Sequence, residues 1–531
     1  MTILGRPVRG GLYTYAGRMT IPNLLSKRSV DDLRQEKDVG ISNLTGPMRE
    51  GRWVTYLQRT HRHLATTTKL VLLAATLAAL SLSPAWAQIT DNAKPDSYLA
   101  NNRPGDPRYK TDILVVVAHP DDEVMVTSYL AREIYDNHKR VAVVYQTAGD
   151  GGNNDVGPEQ AAALGDIRQI EGRRAVGSLG ITNVWFLGGR DTPSQNVLTS
   201  LERCSHGRCL DELVRIVRIT RPSVILTWLP DFTTGENHAD HQASGVLATE
   251  AFDLAGDPTV LSEQISPATN PDKNSNLTEG LRPWQPEKIY YFYNSTHDIF
   301  AGQGPQYSSQ EISPSRHVSY GNLAAEVFAY HLTQGGKQVA DEIAGNTLGN
   351  SAISKIAMEP VRLILGKSLV PSAVTDDVFA GVAPNGVPYQ RAPGFAAVKY
   401  LQPTLAIGDP WSYYHKFWEA HGLDHLANLV PLEISVHIDG ALAIPLVINN
   451  PSNTAIDVNV SVKAPEGWKV TPVPPASVAP LSEYYLRVLA VAPATKLPGW
   501  QQFVVSAESG NKNIGTLEVR AELSDGWVAP Q

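Results

Sequence analysis

The sequence predicts an α/β protein: a mostly parallel β-sheet with helices on both faces, followed by a small β-sandwich. Three observations carry this. Ile113–Ala118, Val141–Tyr145 and Val224–Trp228 are short, continuous apolar runs, as strands buried on both faces require. Segments of helical length lie between them. The C-terminal stretch breaks into short strand-like runs separated by Pro- and Gly-rich turns.

Taken in order, the first strand is followed by a helix over about 122–137, then the second strand, then a helix over Glu159–Leu179. Val184–Leu187 is strand-like, Leu210–Ile219 helical, and Val224–Trp228 a further buried strand. This β-α-β-α order predicts a Rossmann-like sheet. Residues 255–287, rich in Pro, Asn and Asp, predict a loop; Lys288–Tyr293 predicts a strand and 320–345 helix. Near the C-terminus, Leu432–Ile438, Ala441–Ile448, Ile456–Val462, Tyr484–Val491, Gln502–Ala507 and Gly515–Ala521 predict an Ig-like sandwich without the core disulfide. The expected organisation is an N-terminal extension and export signal over 1–87, a leader over 88–110 and a catalytic domain over 111–345. An extension or helical lobe over 346–428 and the sandwich over 429–525 follow.

The chain has 531 residues, long enough for two or three domains, and 42% of them are hydrophobic, so a sizeable core is available. The formal net charge is −8, which argues against a dedicated nucleic-acid binder. Leu70–Leu82 is an apolar run preceded by Arg59, Arg62 and Lys69 and followed by Ala85-Trp86-Ala87. Positive flank, short apolar stretch and small-residue exit predict a secretory signal peptide cleaved after Ala87, leaving Gln88 first. The run is shorter than the about 20 apolar residues of a spanning helix, and an uncleaved anchor is the alternative. Met48 is the expected translation start, because signal peptides normally begin a chain. Export places the protein in the periplasm or outside the cell. The only cysteines, Cys204 and Cys209 in C-S-H-G-R-C, predict a small surface disulfide; a metal site with His206 is the alternative and lacks a fourth ligand.

Two motifs carry chemistry. Ala118-His119-Pro120-Asp121-Asp122-Glu123 follows the carboxyl end of the first buried strand, where ligands bind in open α/β sheets. Acids packed behind such a strand are costly unless paired or metal-bound. His238-Ala239-Asp240-His241 follows the strand Val224–Trp228, and His238 and His241 share one face if the segment is helical. If the two strands are neighbours, both loops open on one crevice. Two imidazoles, one carboxylate and a water form the open site of a catalytic zinc, with acids and a histidine left to move protons. Gly149-Asp150-Gly151-Gly152 lacks the lysine and spacing of a P-loop and reads as a flexible rim. Tyr290–Tyr293 reads as core strand, and Trp411, Tyr413, Tyr414, Phe417 and Trp418 as packing between lobes, with sugar stacking as the alternative.

These motifs resemble the PIG-L/LmbE-like family of zinc-dependent N-acetylglucosaminyl deacetylases, whose A-H-P-D-D-E and H-x-D-H patterns both stand here intact. Arg168-Gln169-Ile170-Glu171, Leu179-Gly180-Ile181 and Asp191 also follow the family's order, and the resemblance runs over about 110–300, extending weakly through His331. It implies zinc on His119, Asp122 and His241. It implies Asp121 as general base, His238 as stabiliser or proton donor for the tetrahedral intermediate, and Asp240 as the carboxylate that orients a histidine. Arg168 and Asp191 would contact substrate, or serve as an ion pair or helix cap. The approach Thr234-Gly235-Glu236-Asn237 departs from the family pattern and puts the acetyl-sugar specificity in question.

The function expected is hydrolysis of an N-acetyl group on a glucosamine-containing glycan or glycoconjugate. The alternatives are an amidase on another N-acylated amine and a non-catalytic, exported glycan-binding protein. Iron(II) or cobalt could take the same ligands. The C-terminal domain could contact glycan or the cell surface.

Overall fold

The computed structural model describes residues 105–231, 238–265, 280–294, 299–384, 386–394, 400–408, 410–427, 429, 431–495, 497–526 and 528. The apolar run Leu70–Leu82 and the approach 234–237 lie outside them. Among the described residues, no helix is long and apolar enough to cross a membrane.

The chain begins with β1 (Ile113–Val117), α1 (Val124–Tyr135), β2 (Val141–Thr147), α2 (Ala162–Ser178) and β3 (Asn183–Gly189). Then come α3 (Val197–Cys204), α4 (His206–Thr220), β4 (Val224–Trp228), α5 (Ala239–Leu254) and β5 (Lys288–Phe292). β1 pairs in parallel with β2 on one side and β4 on the other; β3 extends the first side and β5 the second, all parallel. The order β3-β2-β1-β4-β5 thus reverses direction between β1 and β4. In open α/β sheets that switch point is where ligands bind, outside the carboxyl ends of the strands.

The apolar runs alternate between two cores. Leu114, Val116, Ala142, Val144 and Ile225 face a cluster built with α3, α4 and α5. Ile113, Val115, Val117, Val143 and Leu226 face another that includes α1 and part of α2. With both faces covered, the strands need no polar alternation, which is why they read as unbroken apolar runs.

The segment expected to be helical over 320–345 is two helices. After β6 (Gln306–Tyr307) come α6 (Tyr320–Phe328) and α7 (Gly336–Gly345), separated by a tight turn at His331–Gly335, with Gly335 at φ +86°. α8 (Ala352–Met358) and β7 (Val361–Arg362) follow. The stretch 346–428, expected as an extension or helical lobe, is shared between two sheets. β8 (Ile364–Ser368) adds antiparallel to β5, whereas β9 (Thr404–Ile407) pairs with a C-terminal strand. α9 (Trp411–His421) is clamped against α5 and β8: Asp253 takes Lys367 Nζ at 2.5 Å and His421 Nδ1 at 2.6 Å, and Tyr414 donates to Gln242 at 2.5 Å. Trp411, Tyr414, Phe417 and Trp418 are buried, so this aromatic cluster packs elements together.

The C-terminal region forms two sheets from β10 (Glu433–His437), β11 (Ala441–Asn450), β12 (Ile456–Lys463), β13 (Lys469–Val470), β14 (Ala476–Val478), β15 (Ser482–Val491), β16 (Trp500–Ser509) and β17 (Lys512–Ser524). Their orders are β10-β17-β16-β12-β14 and β13-β15-β11-β9. Alternating residues (Leu442, Ile444, Leu446 on one sheet; Phe503, Val505, Ala507 on the other) share one apolar cluster. Trp468 meets Phe503 edge-on at 4.8 Å across it. Two strands, β13 and β14, and the contribution of β9 were not legible, being too short or too far along the chain from their partners.

Candidate active site

Because β1 and β4 are neighbours, the loops that follow them meet. His119 to Glu123 bridge β1 and α1; His238 caps the start of α5 and His241 lies in its first turn. His238 is therefore outside the helix, and its ring Nδ1 accepts from the Asp240 amide at a long 3.4 Å.

The three expected metal ligands converge. His119 Nδ1 lies 3.2 Å from His241 Nε2, and Asp122 Oδ1 lies 3.1 Å from His241 Nε2 and 3.6 Å from His119 Nδ1. Ligands about 3.4 Å apart are what tetrahedral bonds of about 2.0–2.1 Å require, so this donor set fits a zinc ion. The division of labour on Asp122 supports the same reading. Its Oδ2 accepts from the amides of Ala118 and His119 and from Trp228 Nε1, at 2.9, 3.0 and 2.9 Å, leaving Oδ1 turned toward the two imidazoles. All three residues are buried.

A further ring of groups fixes these ligands. Trp228 stacks flat on His241, centroids 4.0 Å apart and planes 3° from parallel. His119 turns Nε2 toward Asp191 Oδ1 at 3.3 Å and Asp240 Oδ2 at 3.5 Å. Asp240 thus supports His119, and it is itself held by the Thr192 amide at 2.8 Å and by a short hydrogen bond from Ser200 Oγ. A carboxylate behind a ligating imidazole orients the ring and raises its basicity.

Charge follows geometry. Burial alone would raise Asp122, but His241 and His119 hold it well below the usual carboxylate range. Burial would also raise Asp191, and His119 outweighs it in the same way. Both carboxylates therefore stay ionised beside the imidazoles. Asp121 differs: burial, followed by repulsion from Asp122, pushes it up to about 7. A carboxylate near neutrality is matched to proton abstraction. Burial, with His241 and His119 adding to it, holds His238 well below the usual histidine range, so its ring is neutral. With Nδ1 accepting, its proton sits on Nε2, which makes it a hydrogen-bond donor.

Of the two remaining expected residues, one faces the site and the other braces its rim. Asp191 borders it, accepting from the Gly151 amide at 3.0 Å. Arg168 is buried and spends its guanidinium on the protein: Gly149 O and Asn153 O at 2.7 Å each, and Thr333 Oγ1 at 3.3 Å. Gly149–Gly152 is accordingly a pinned rim rather than a flexible one. Cys204 and Cys209 are disulfide-bonded, but the bridge is fully buried instead of at the surface. His206 is engaged elsewhere, with Nε2 2.6 Å from Glu250, so no thiol–imidazole metal site forms there.

Sequence reading missed Trp228, Thr192 and Ser200, and it named Glu123 and His331 without showing that they pair. Trp228 carried a usable signal, as a large aromatic closing a buried strand that ends at the crevice. The others are ordinary residues whose role depends on pairings far along the chain.

Residues 114–252 match the family described as "GlcNAc-PI de-N-acetylase". The 1D-myo-inositol 2-acetamido-2-deoxy-alpha-D-glucopyranoside deacetylase of Thermobifida fusca is 30% identical over 194 residues, which covers 34% of this chain and 60% of that protein. The relative named deacetylase 1 in Catenulispora acidiphila is 34% identical over 176 residues, covering 30% of this chain and 54% of its own length. The chain thus matches little more than half the length of these curated relatives. The N,N'-diacetylchitobiose deacetylase from Pyrococcus horikoshii shows a partial likeness: 18% identity, 52% of this chain and 88% of that one, and a TM-score of 0.33. The matched stretch, Leu114 to Phe252, is the part of the chain that holds both motifs and the three converging residues, and over it the chain is similar to the GlcNAc-PI de-N-acetylase family.

Proposed function

We propose that this chain is a zinc-dependent hydrolase that removes an N-acetyl group from a GlcNAc-containing glycan or glycoconjugate, and that it works outside the cytoplasm. The observation that carries the reading is the convergence of His119 Nδ1, Asp122 Oδ1 and His241 Nε2 beside an acid that no ligand role consumes, Asp121. A structural zinc site needs no such acid.

Zinc on these ligands supplies Lewis acidity toward the amide carbonyl and toward water. Asp121 takes the proton of the attacking water as its oxygen bonds to the carbonyl carbon. His238, neutral with its proton on Nε2, donates a hydrogen bond to the developing oxyanion, the kind of term worth a few kcal/mol. The C–N bond then breaks, and the proton held by Asp121 passes to the departing amine. Asp240 and Asp191 keep the His119 ring in place throughout. Acetate and the free amine leave.

Three features support the wider reading. The relatives are named as deacetylases of a 2-acetamido-2-deoxy-glucopyranoside, which supports an acetamido sugar as the substrate. The basic flank, apolar run and A-x-A exit before Gln88 support export, and a buried disulfide is in keeping with an oxidising compartment. Two sheets closing on one core support an Ig-like sandwich at the C-terminus, available for glycan or cell-surface contact.

The test is acetate release by the full chain from N-acetylglucosamine, chitooligosaccharides and a panel of other N-acyl amines, beside Asp121→Asn. Release from the acetyl sugars, with kcat lowered about 10²- to 10⁴-fold in the variant, is expected. Release only from non-sugar amides would overturn the substrate class, and undiminished release by the variant would overturn the base.

A further inference from the structure

Asp121 has φ +132°, a backbone conformation that side-chain-bearing residues rarely hold. Such strain persists only where the surroundings over-determine it. Here the Asp121 amide donates to Glu123 Oε2 at 3.0 Å, and the other oxygen of Glu123 lies 2.6 Å from His331 Nε2. Glu123 is 1% exposed and His331 is 0% exposed. A carboxylate accepts only, so Nε2–H of His331 is the donor.

His331 is fixed in turn. Its amide donates to Phe328 O at 2.9 Å, and its carbonyl accepts from Gln334 and Gly336 at 3.0 and 2.8 Å. A Cβ on Gly336 would stand 2.6 Å from the His331 carbonyl carbon, so the turn is as tight as a glycine allows. Two residues on, Thr333 closes the turn onto α2: its amide and hydroxyl donate to Glu171 at 3.1 and 2.6 Å. One short segment between α6 and α7 therefore grips both the loop after β1 and helix α2.

We infer that His331, which lies beyond the family-matched stretch 114–252, is a positioning residue: through Glu123 it holds the backbone of residue 121 in the strained conformation that presents the base. The inference rests on Asp121 being that base. It adds a part of the machinery contributed from outside the two motifs.

The experiment compares the full-length protein with His331→Leu, His331→Gln and Glu123→Gln. The glutamine side chain in His331→Gln would keep an N–H near the position of Nε2; the leucine side chain in His331→Leu would fill space without one. The first readout needs no substrate: hydrogen–deuterium exchange of overlapping peptides across 119–124. Losing a charge-assisted hydrogen bond should speed exchange of the Asp121 amide by about tenfold or more in His331→Leu and Glu123→Gln. The second is kinetic: His331→Leu should lower kcat about 10- to 100-fold, as small misplacements of a reacting group do, while KM and bound zinc stay near the wild-type values. His331→Gln should recover most of both. Unchanged exchange at residue 121 in His331→Leu, or a glutamine variant as impaired as the leucine variant, would overturn the inference. If His331→Leu chains do not fold, Glu123→Gln decides it by the same exchange measurement. A wild-type protein that releases no acetate from any substrate would count against the proposed function, whereas the exchange result alone would still decide whether His331 holds the loop.

Discussion

At the scale of single residues, the site is a sorting of similar groups by their surroundings. Four aspartates lie within a few ångströms of His119 or beside it in the chain, and three of them, Asp121, Asp122 and Asp240, are each set differently. Asp122 is anionic and commits one oxygen to three N–H donors. Asp121, half-buried beside that charge, is raised to about 7. Asp240 sits behind His119, held by Thr192 and Ser200. The last arrangement makes a prediction about metal affinity rather than chemistry. Asp240→Asn removes the charge that supports the His119 ring, and zinc affinity should fall about 10- to 100-fold, as loss of such outer partners typically costs. Competition with a chromophoric chelator measures it; an unchanged affinity would mean Asp240 serves another group.

At the scale of elements, the rim built from Gly149 to Asn153 is rigid because Arg168 is threaded through it. A Cβ at residue 152 would stand 2.5 Å from Arg168 Nη1 and 2.8 Å from Nη2, and that guanidinium is held by two carbonyls and a hydroxyl. Gly152→Ala should therefore lower stability by about 1–3 kcal/mol, the usual cost of overpacking. Gly177→Ala is the control. It lies in α2 with nothing within 4 Å of a new Cβ, so it should be neutral or stabilising by up to about 1 kcal/mol. Thermal unfolding of the two variants checks both. This element also shows the limit of reading a sequence. A glycine-rich loop looks mobile when its clamp, Arg168, reads in the sequence as a substrate contact, an ion pair or a helix cap and not as a brace for that loop. The strands were legible because burial on both faces writes itself into local composition. The ligand loops were legible because each follows such a strand. The pairing of β1 with β4 and the grip of His331 on Glu123 were not, since both join residues more than a hundred positions apart.

At the scale of the whole molecule, the polar groups inside the core tie stability to pH. Glu133 of α1 is 2% exposed, its carboxylate accepting only from Asn137 among the described hydrogen bonds, and burial pushes it up to about 7 from its usual 4.5. The folded state thus holds the Glu133 proton more tightly than the unfolded chain. Its contribution is fully present below pH 4.5 and is lost as pH rises through 7. Glu133→Gln, which keeps the shape without the charge, should be more stable than the wild type by about 1–3 kcal/mol at pH 8, with the difference gone by about pH 4. Denaturant unfolding at the two pH values checks the sign.

The proposed chemistry depends on one arrangement: two imidazoles and a carboxylate, brought together after β1 and at the start of α5 on either side of the sheet's switch point, where the proposal puts a single zinc ion. X-ray absorption at the zinc edge of the purified full chain tests it most directly. The expected result is a first shell of two nitrogen and two oxygen neighbours at about 2.0–2.2 Å with no sulfur, lost in His241→Ala. A sulfur neighbour at about 2.3 Å, or a zinc signal unchanged in that variant, would contradict it.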